Sequence, residues 1–201
     1  AEVQKLERDI YDALSKNRHA AALSERFGSK LLQRAQQAHL LINPEVTSLI
    51  ANENRLVTEY MNLKSAADVS FGGQVYNLEQ MEPYLQDPDR DLRRSAHAAV
   101  SGFFATRTDR FDELFDSLVQ TRTEIARKLG FNSFTELGYL RMERYDYGRN
   151  EVENFRELVV SYIVPLATEI RRLQRRRLGV DRLYHYDLPC LSPQGNPTLV
   201  V

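Results

Sequence analysis

Apolar residues recur at three- and four-residue steps along most of this chain, the spacing that lines one face of an α-helix. Over residues 2–42 the stripe is Val3, Leu6, Ile10, Ala13 and Leu14, broken at Gly28 and resumed by Leu31, Leu32, Ala35 and Leu40. Asn43-Pro44 opens a new helix, because Asn can cap free N–H groups and Pro at the first helical position loses none. Its apolar face is Val46, Leu49, Ile50, Leu56, Val57, Tyr60 and Met61, with Glu45, Asn52, Glu53 and Glu59 placed toward solvent.

At Asp68 the period changes from helical to alternating. Val69, Phe71, Val75 and Tyr76 surround Gly72-Gly73, which reads as a tight hairpin rather than a phosphate loop. Asn77 caps a short helix through Leu78, Met81 and Leu85, interrupted by Pro83. Asp87-Pro88-Asp89 starts the next, burying Leu92, Ala96, Ala99, Val100 and Phe103. Thr108 or Asp109 begins another, with Phe111, Leu114, Phe115, Leu118, Ile125 and Leu129 inward and Gly130 as its stop. Asn132 or Ser133 caps a short helix to Glu143. Asn150 caps the last, which bends at Pro165 and closes at Gly179.

The expected fold is all-α, a bundle or array of roughly six or seven helices with one short β-hairpin near 69–76. Three regions are expected: an N-terminal helical segment (1–42), a helical domain (43–179) and an extended, Pro-rich segment (180–201). The helical pattern opens without a cap and the chain stops on Leu199-Val200-Val201. Both ends are therefore expected to be cuts from a longer protein.

Composition narrows the function classes. In 201 residues, 42% are hydrophobic and 27% charged, with a net charge of −1, so bulk attraction to nucleic acid or anionic membrane is not expected. The one cysteine, Cys190, allows no internal disulfide, and no apolar run reaches a bilayer's width. With no signal peptide in the N-terminal pattern, the expected address is cytoplasmic.

The search for chemistry is negative. His19, His39, His97 and His185 are scattered, and no His-Glu-x-x-His occurs, so no zinc ligand set is expected in this chain. Cys190 is expected to pack rather than react. Glu136, Glu143, Asp146 and Glu151 flank a polar turn, where Asp146 is expected to cap the backbone. The arginines of Arg171-Arg172-Leu173-Gln174-Arg175-Arg176-Arg177 spread around their helix and complement its C-terminal dipole; RNA binding is the lesser alternative. The residues alone describe a helical scaffold without an active site.

The order of several short pieces carries a resemblance. These are Glu53-Asn54, Phe71-Gly72, Asp89-Arg90-x-x-Arg93, Lys128-Leu129-Gly130-Phe131, Arg141-Met142, Asp146-Tyr147, Val164-Pro165-Leu166 and Tyr186-Asp187. Together, from about Asn43 to Thr198, the chain resembles the helical region ahead of the catalytic core in oligoendopeptidase-F-type zinc metallopeptidases, relatives of thimet oligopeptidase. That family holds zinc with two His of a His-Glu-x-x-His helix and a later Glu, with the intervening Glu as general base. The resemblance implies a helical shell around a channel for short peptides, with a catalytic domain lying C-terminal to this segment. It also implies that this chain, without that domain, binds no zinc and is inactive alone. Arg141, Arg144 and Tyr147 are the candidates to face the channel, against ordinary packing and capping. The alternative from another class is a free-standing helical module that binds a peptide or partner helix in a groove.

Overall fold

The computed structural model describes residues 2–41 and 43–197, with the backbone alone for 2–5, 7–8 and 38–41. The side chains of Val3, His39 and Leu40 and the apolar end at 199–201 lie outside the described residues, as does Thr198. Helix dominates what is described, and the sheet found there is a two-stranded hairpin. The chain divides into two compact units, Ala1–Thr58 with Phe115–Glu153 and Glu59–Leu114 with Asn154–Val201.

In the first unit, α1 (Glu2–Ser15) and α2 (Ala20–Phe27) pack on α3 (Lys30–Leu41). The stripe breaks once more than its apolar pattern suggests. Asn17 Oδ1 accepts the His19 N–H at 2.8 Å, a local bond that competes with the helix ladder between α1 and α2. Asn43 accepts the Glu45 N–H at 2.9 Å and opens a 3-10 turn, Pro44–Val46, that leads into α4 (Thr47–Ser65). Val46 packs with Ile125 and Ala126 of α7 (Thr108–Lys128) and Leu137 of α8 (Phe134–Arg141), all buried. Gly130, at φ +82°, turns the chain from α7 toward α8 in a conformation that suits glycine.

In the second unit the hairpin pairs β1 (Val69–Phe71) with β2 (Gln74–Tyr76) in the register Val69↔Tyr76. Gly72 and Gly73 both take positive φ, +58° and +79°, the requirement of the tightest right-twisting hairpin turn. Asn77 and Gln80 exchange side-chain bonds with each other's backbone N–H at 2.8 and 2.9 Å, a complete capping box for α5 (Leu78–Leu85). Asp89 caps α6 (Arg90–Ala105) by accepting from Asp91 and Leu92, while Asp87 holds the Asp89 N–H. The core beneath is Ala67, Val69, Met81, Ala96 and Phe103.

The last helix departs from expectation at its start and closes at Gly179 as expected. It begins as α9 (Arg149–Leu158), where Glu151, not Asn150, closes the end by accepting the Gly148 N–H at 2.8 Å. The irregularity at Pro165 takes the form of a π turn, Val159–Ile163, ahead of α10 (Val164–Leu178). Proline lacks the N–H of a regular ladder and its ring crowds the preceding turn, so the helix widens there. Phe155, Leu158, Tyr162, Leu166, Ile170 and Leu173 all stand more than half exposed along this helix. Phe115, read as buried, is 66% exposed as well. Among the described residues, no helix is long and apolar enough to cross a membrane.

Candidate functional site

The segment from the end of α7 to the start of α9 places Arg141 in one setting and Arg144 with Tyr147 in another. Arg141 is committed. Its guanidinium donates to both oxygens of Glu53 at 3.1 and 2.9 Å, while Arg122 donates to the same carboxylate at 2.7 Å. Both arginines also lie over the Phe134 ring, at 5.5 and 5.9 Å. Glu53 was placed toward solvent by the helical pattern, but only 6% of it is exposed. A carboxylate can be buried on an amphipathic helix when two guanidiniums meet it, because each supplies charge and directed N–H donors. Burial alone would push the Glu53 carboxyl up; the hydrogen bonds and charges of Arg122 and Arg141 outweigh it and hold the group below its ordinary range. Alongside, Asn52 donates to Thr121 at 3.1 Å, tying α4 to α7 again.

Arg144 and Tyr147 are arranged differently. The Arg144 N–H bonds to the Tyr139 carbonyl at 3.0 Å, after Glu143 has turned the chain with φ +54°. The Arg144 guanidinium therefore lies over Tyr139 at 5.2 Å and Tyr147 at 5.7 Å, with Tyr147 44% exposed. Asp146, expected to cap the turn, instead pairs with Lys30 at 2.6 Å. The capping duty falls to Glu151, whose carboxyl is held below its ordinary range by the backbone N–H groups of Gly148 and Glu151.

A second constellation, in the other unit, was not anticipated as a cluster. Asp187 accepts from Arg90 at 3.0 and 2.9 Å, from Arg93 at 3.0 Å and from the Tyr184 N–H at 2.9 Å. Its burial works against ionisation, yet these donors win and hold the carboxyl at about 2. Gln174, buried in α10, donates from one amide nitrogen to the carbonyls of Asp187, Leu188 and Cys190 at 3.2, 3.2 and 2.7 Å. The arginines around it are not simply solvated: Arg175 donates to the Asp181 carbonyl and Arg177 to that of Leu191. The segment after α10 is thus held by its own backbone carbonyls, around a short 3-10 turn, His185–Asp187. His97 and His185 meet edge to face at 5.3 Å, and Cys190 is fully buried.

Neither constellation brings a nucleophile to a base. The arginine–carboxylate groups are already matched, which suits holding elements together rather than moving protons. Among the described residues, no three or more His, Cys, Asp or Glu side chains gather where they could hold a metal ion. A cavity in the second unit is lined by Met61, Leu78, Leu85, Val100 and Phe104, with Lys64, Glu79 and Glu82 among its polar members.

No protein-family model matches the chain, and no curated protein does either. Solved structures do. A protein assigned as oligoendopeptidase F superposes with a TM-score of 0.90 at 40% identity, over 97% of this chain and 34% of its own. The chain is a relative of oligoendopeptidase F. PZ peptidase A, determined with an inhibitor, matches at 39% identity and TM-score 0.90, over 97% of this chain and 35% of that one. A protein from Bacillus anthracis strain Ames, also assigned as oligoendopeptidase F, gives 37% identity and 0.88, over 97% and 36%. The chain thus spans about a third of the length of these three structures.

Proposed function

We propose that this chain is the helical portion of a peptidase of the oligoendopeptidase F type, forming part of the wall of a channel that takes short peptides. The observation that carries this reading is the match of nearly the whole chain, at 37 to 40% identity, to three structures about three times as long. In such an enzyme zinc would be held outside this segment, by a catalytic domain that follows it, and would supply activation of the attacking water. What these residues contribute is shape. The Glu53 clamp fixes α4, α7 and α8 against one another, and the turn after α8 presents Arg144 and Tyr147. Alone, the chain neither binds zinc stoichiometrically nor cleaves peptides, and the enzyme is cytoplasmic.

The exposed apolar helix around the π turn would also serve a free-standing interaction module. The peptidase segment is favoured, because a helix apolar on several sides asks for cover that the remaining two-thirds of a longer enzyme would supply. The test is a chimera. Exchanging this chain for the corresponding third of an oligoendopeptidase F should leave hydrolysis of short peptides intact; a well-folded, zinc-loaded but inactive chimera would overturn the reading.

A further inference from the structure

From the end of α8 to the first turn of α9, most charged side chains are matched. Arg141 holds Glu53, Glu143 takes Arg34 at 2.9 Å, Asp146 takes Lys30 at 2.6 Å, and Arg149 donates to Glu153 at 2.8 Å. Arg144 is the exception: among the described residues no carboxylate meets it, and its guanidinium rests over Tyr139 and Tyr147 instead. Those two rings stand edge to face at 6.5 Å.

Aromatic faces stabilise the charge of a guanidinium but do not take its hydrogen bonds. Arg has five N–H donors in a planar fork, and that fork matches the two oxygens of a carboxylate. A guanidinium held in place by rings loses less freedom on binding than one on a free stem. Tyr147 is 44% exposed, so the platform can be reached from solvent.

We propose that Arg144, held on the Tyr139–Tyr147 pair, is a binding site for a carboxylate of a peptide. The identity of the ligand as a peptide rests on the peptidase reading above; the carboxylate chemistry does not. A terminal carboxylate lies within a few residues of every bond of a short peptide and far from most bonds of a long one. An anchor for it would therefore favour short substrates without measuring length sterically. A Glu or Asp side chain could supply the same group.

The experiment follows the backbone amide resonances of residues 139–147 in the 201-residue chain and its variants during titration with three probes: acetyl-trialanine, its C-terminal amide, and acetyl-Ala-Glu-Ala amide. The free acid should bind saturably and the trialanine amide at least about tenfold more weakly, the range of a hydrogen bond to a charged group. Binding of the Glu peptide assigns the site to any carboxylate; its failure assigns it to the terminal one. Arg144→Gln should abolish the acid preference, and Arg144→Lys should keep only part of it. Equal binding of acid and amide, no saturable binding, or an undiminished preference in Arg144→Gln overturns the proposal. If Arg144→Gln does not fold, the acid–amide comparison on the unaltered chain and Arg144→Lys decide. An active chimera whose kcat/KM ignores both Arg144→Gln and C-terminal amidation retains the peptidase reading and removes this site. An inactive chimera, with an Arg144-dependent acid preference in the isolated chain, does the reverse.

Discussion

Arg93 and Asp187 are 94 residues apart in the chain and meet at 3.0 Å with both side chains shut off from water. Arg90 closes the other carboxylate oxygen from the solvent side, and Arg93 also donates to the carbonyls of Asp87, Pro88 and Tyr186. The start of α6 and the segment after α10 are therefore joined through one fully satisfied ionic group. Removing its acid leaves a guanidinium buried without a counter-charge, which is the costly way to break such a pair. Asp187→Asn should destabilise the chain by about 3 kcal/mol or more, lowering the thermal midpoint by roughly 6–12 °C for a domain of this size. Calorimetry or circular dichroism on the variant would measure it, and an unchanged midpoint would contradict the arrangement.

The same carboxylate predicts an acid limb. Its folded value, about 2, lies below the ordinary 3.8, so the stabilisation is complete above the ordinary value and lost as pH falls toward the folded one. Through linkage this is worth about 2 kcal/mol. Urea midpoints should therefore fall between roughly pH 4 and pH 2 in the parent, and less steeply in Asp187→Asn. Glu53 shifts in the same direction and adds to the slope.

Glu53→Leu should cost about 3 kcal/mol, because Arg122 and Arg141 would then face each other without an anion between them. The loss should shrink when Arg122→Leu and Arg141→Leu are added, since charge isolation rather than a missing contact is the cause. A triple variant no more stable than the single one would refute that account.

How far these features can be read from the residues depends on the distance over which their causes act. The Gly72-Gly73 hairpin and the Asn77 cap were legible because turn geometry and capping are decided within four residues. The extra break before α2 was also local, but an Asn inside a helical stripe is easily read as a tolerated polar position. Glu53 could not be read this way. A helical wheel assigns carboxylates to solvent, and only the partners Arg122 and Arg141, 69 and 88 residues on, reverse that. Arg93 and Asp187 stood out as separate pieces of a resemblance, and nothing in either piece names the other. Of the three residues expected to face a channel, Arg141 is taken by Glu53, whereas Arg144 and Tyr147 share a setting that periodicity does not encode.

The apolar helix that runs through the π turn makes a contrasting prediction. Leu166 is 58% exposed, so Leu166→Gln should change the stability of this chain by no more than about 0.5 kcal/mol. In the chimera the same substitution should cost about 2 kcal/mol or more of stability if further chain covers the helix. Equal, small effects in both would mean that the face stays wet in the longer protein.

Gln174 has two N–H bonds and three carbonyls to serve, so one hydrogen is shared. What it recognises in Asp187, Leu188 and Cys190 is main chain, which every residue type carries alike. The path of that segment is thus insensitive to spelling and sensitive to counting. Exchanging Leu188 or Leu191 for another side chain should leave the segment seated, whereas one inserted residue would move every carbonyl off its mark.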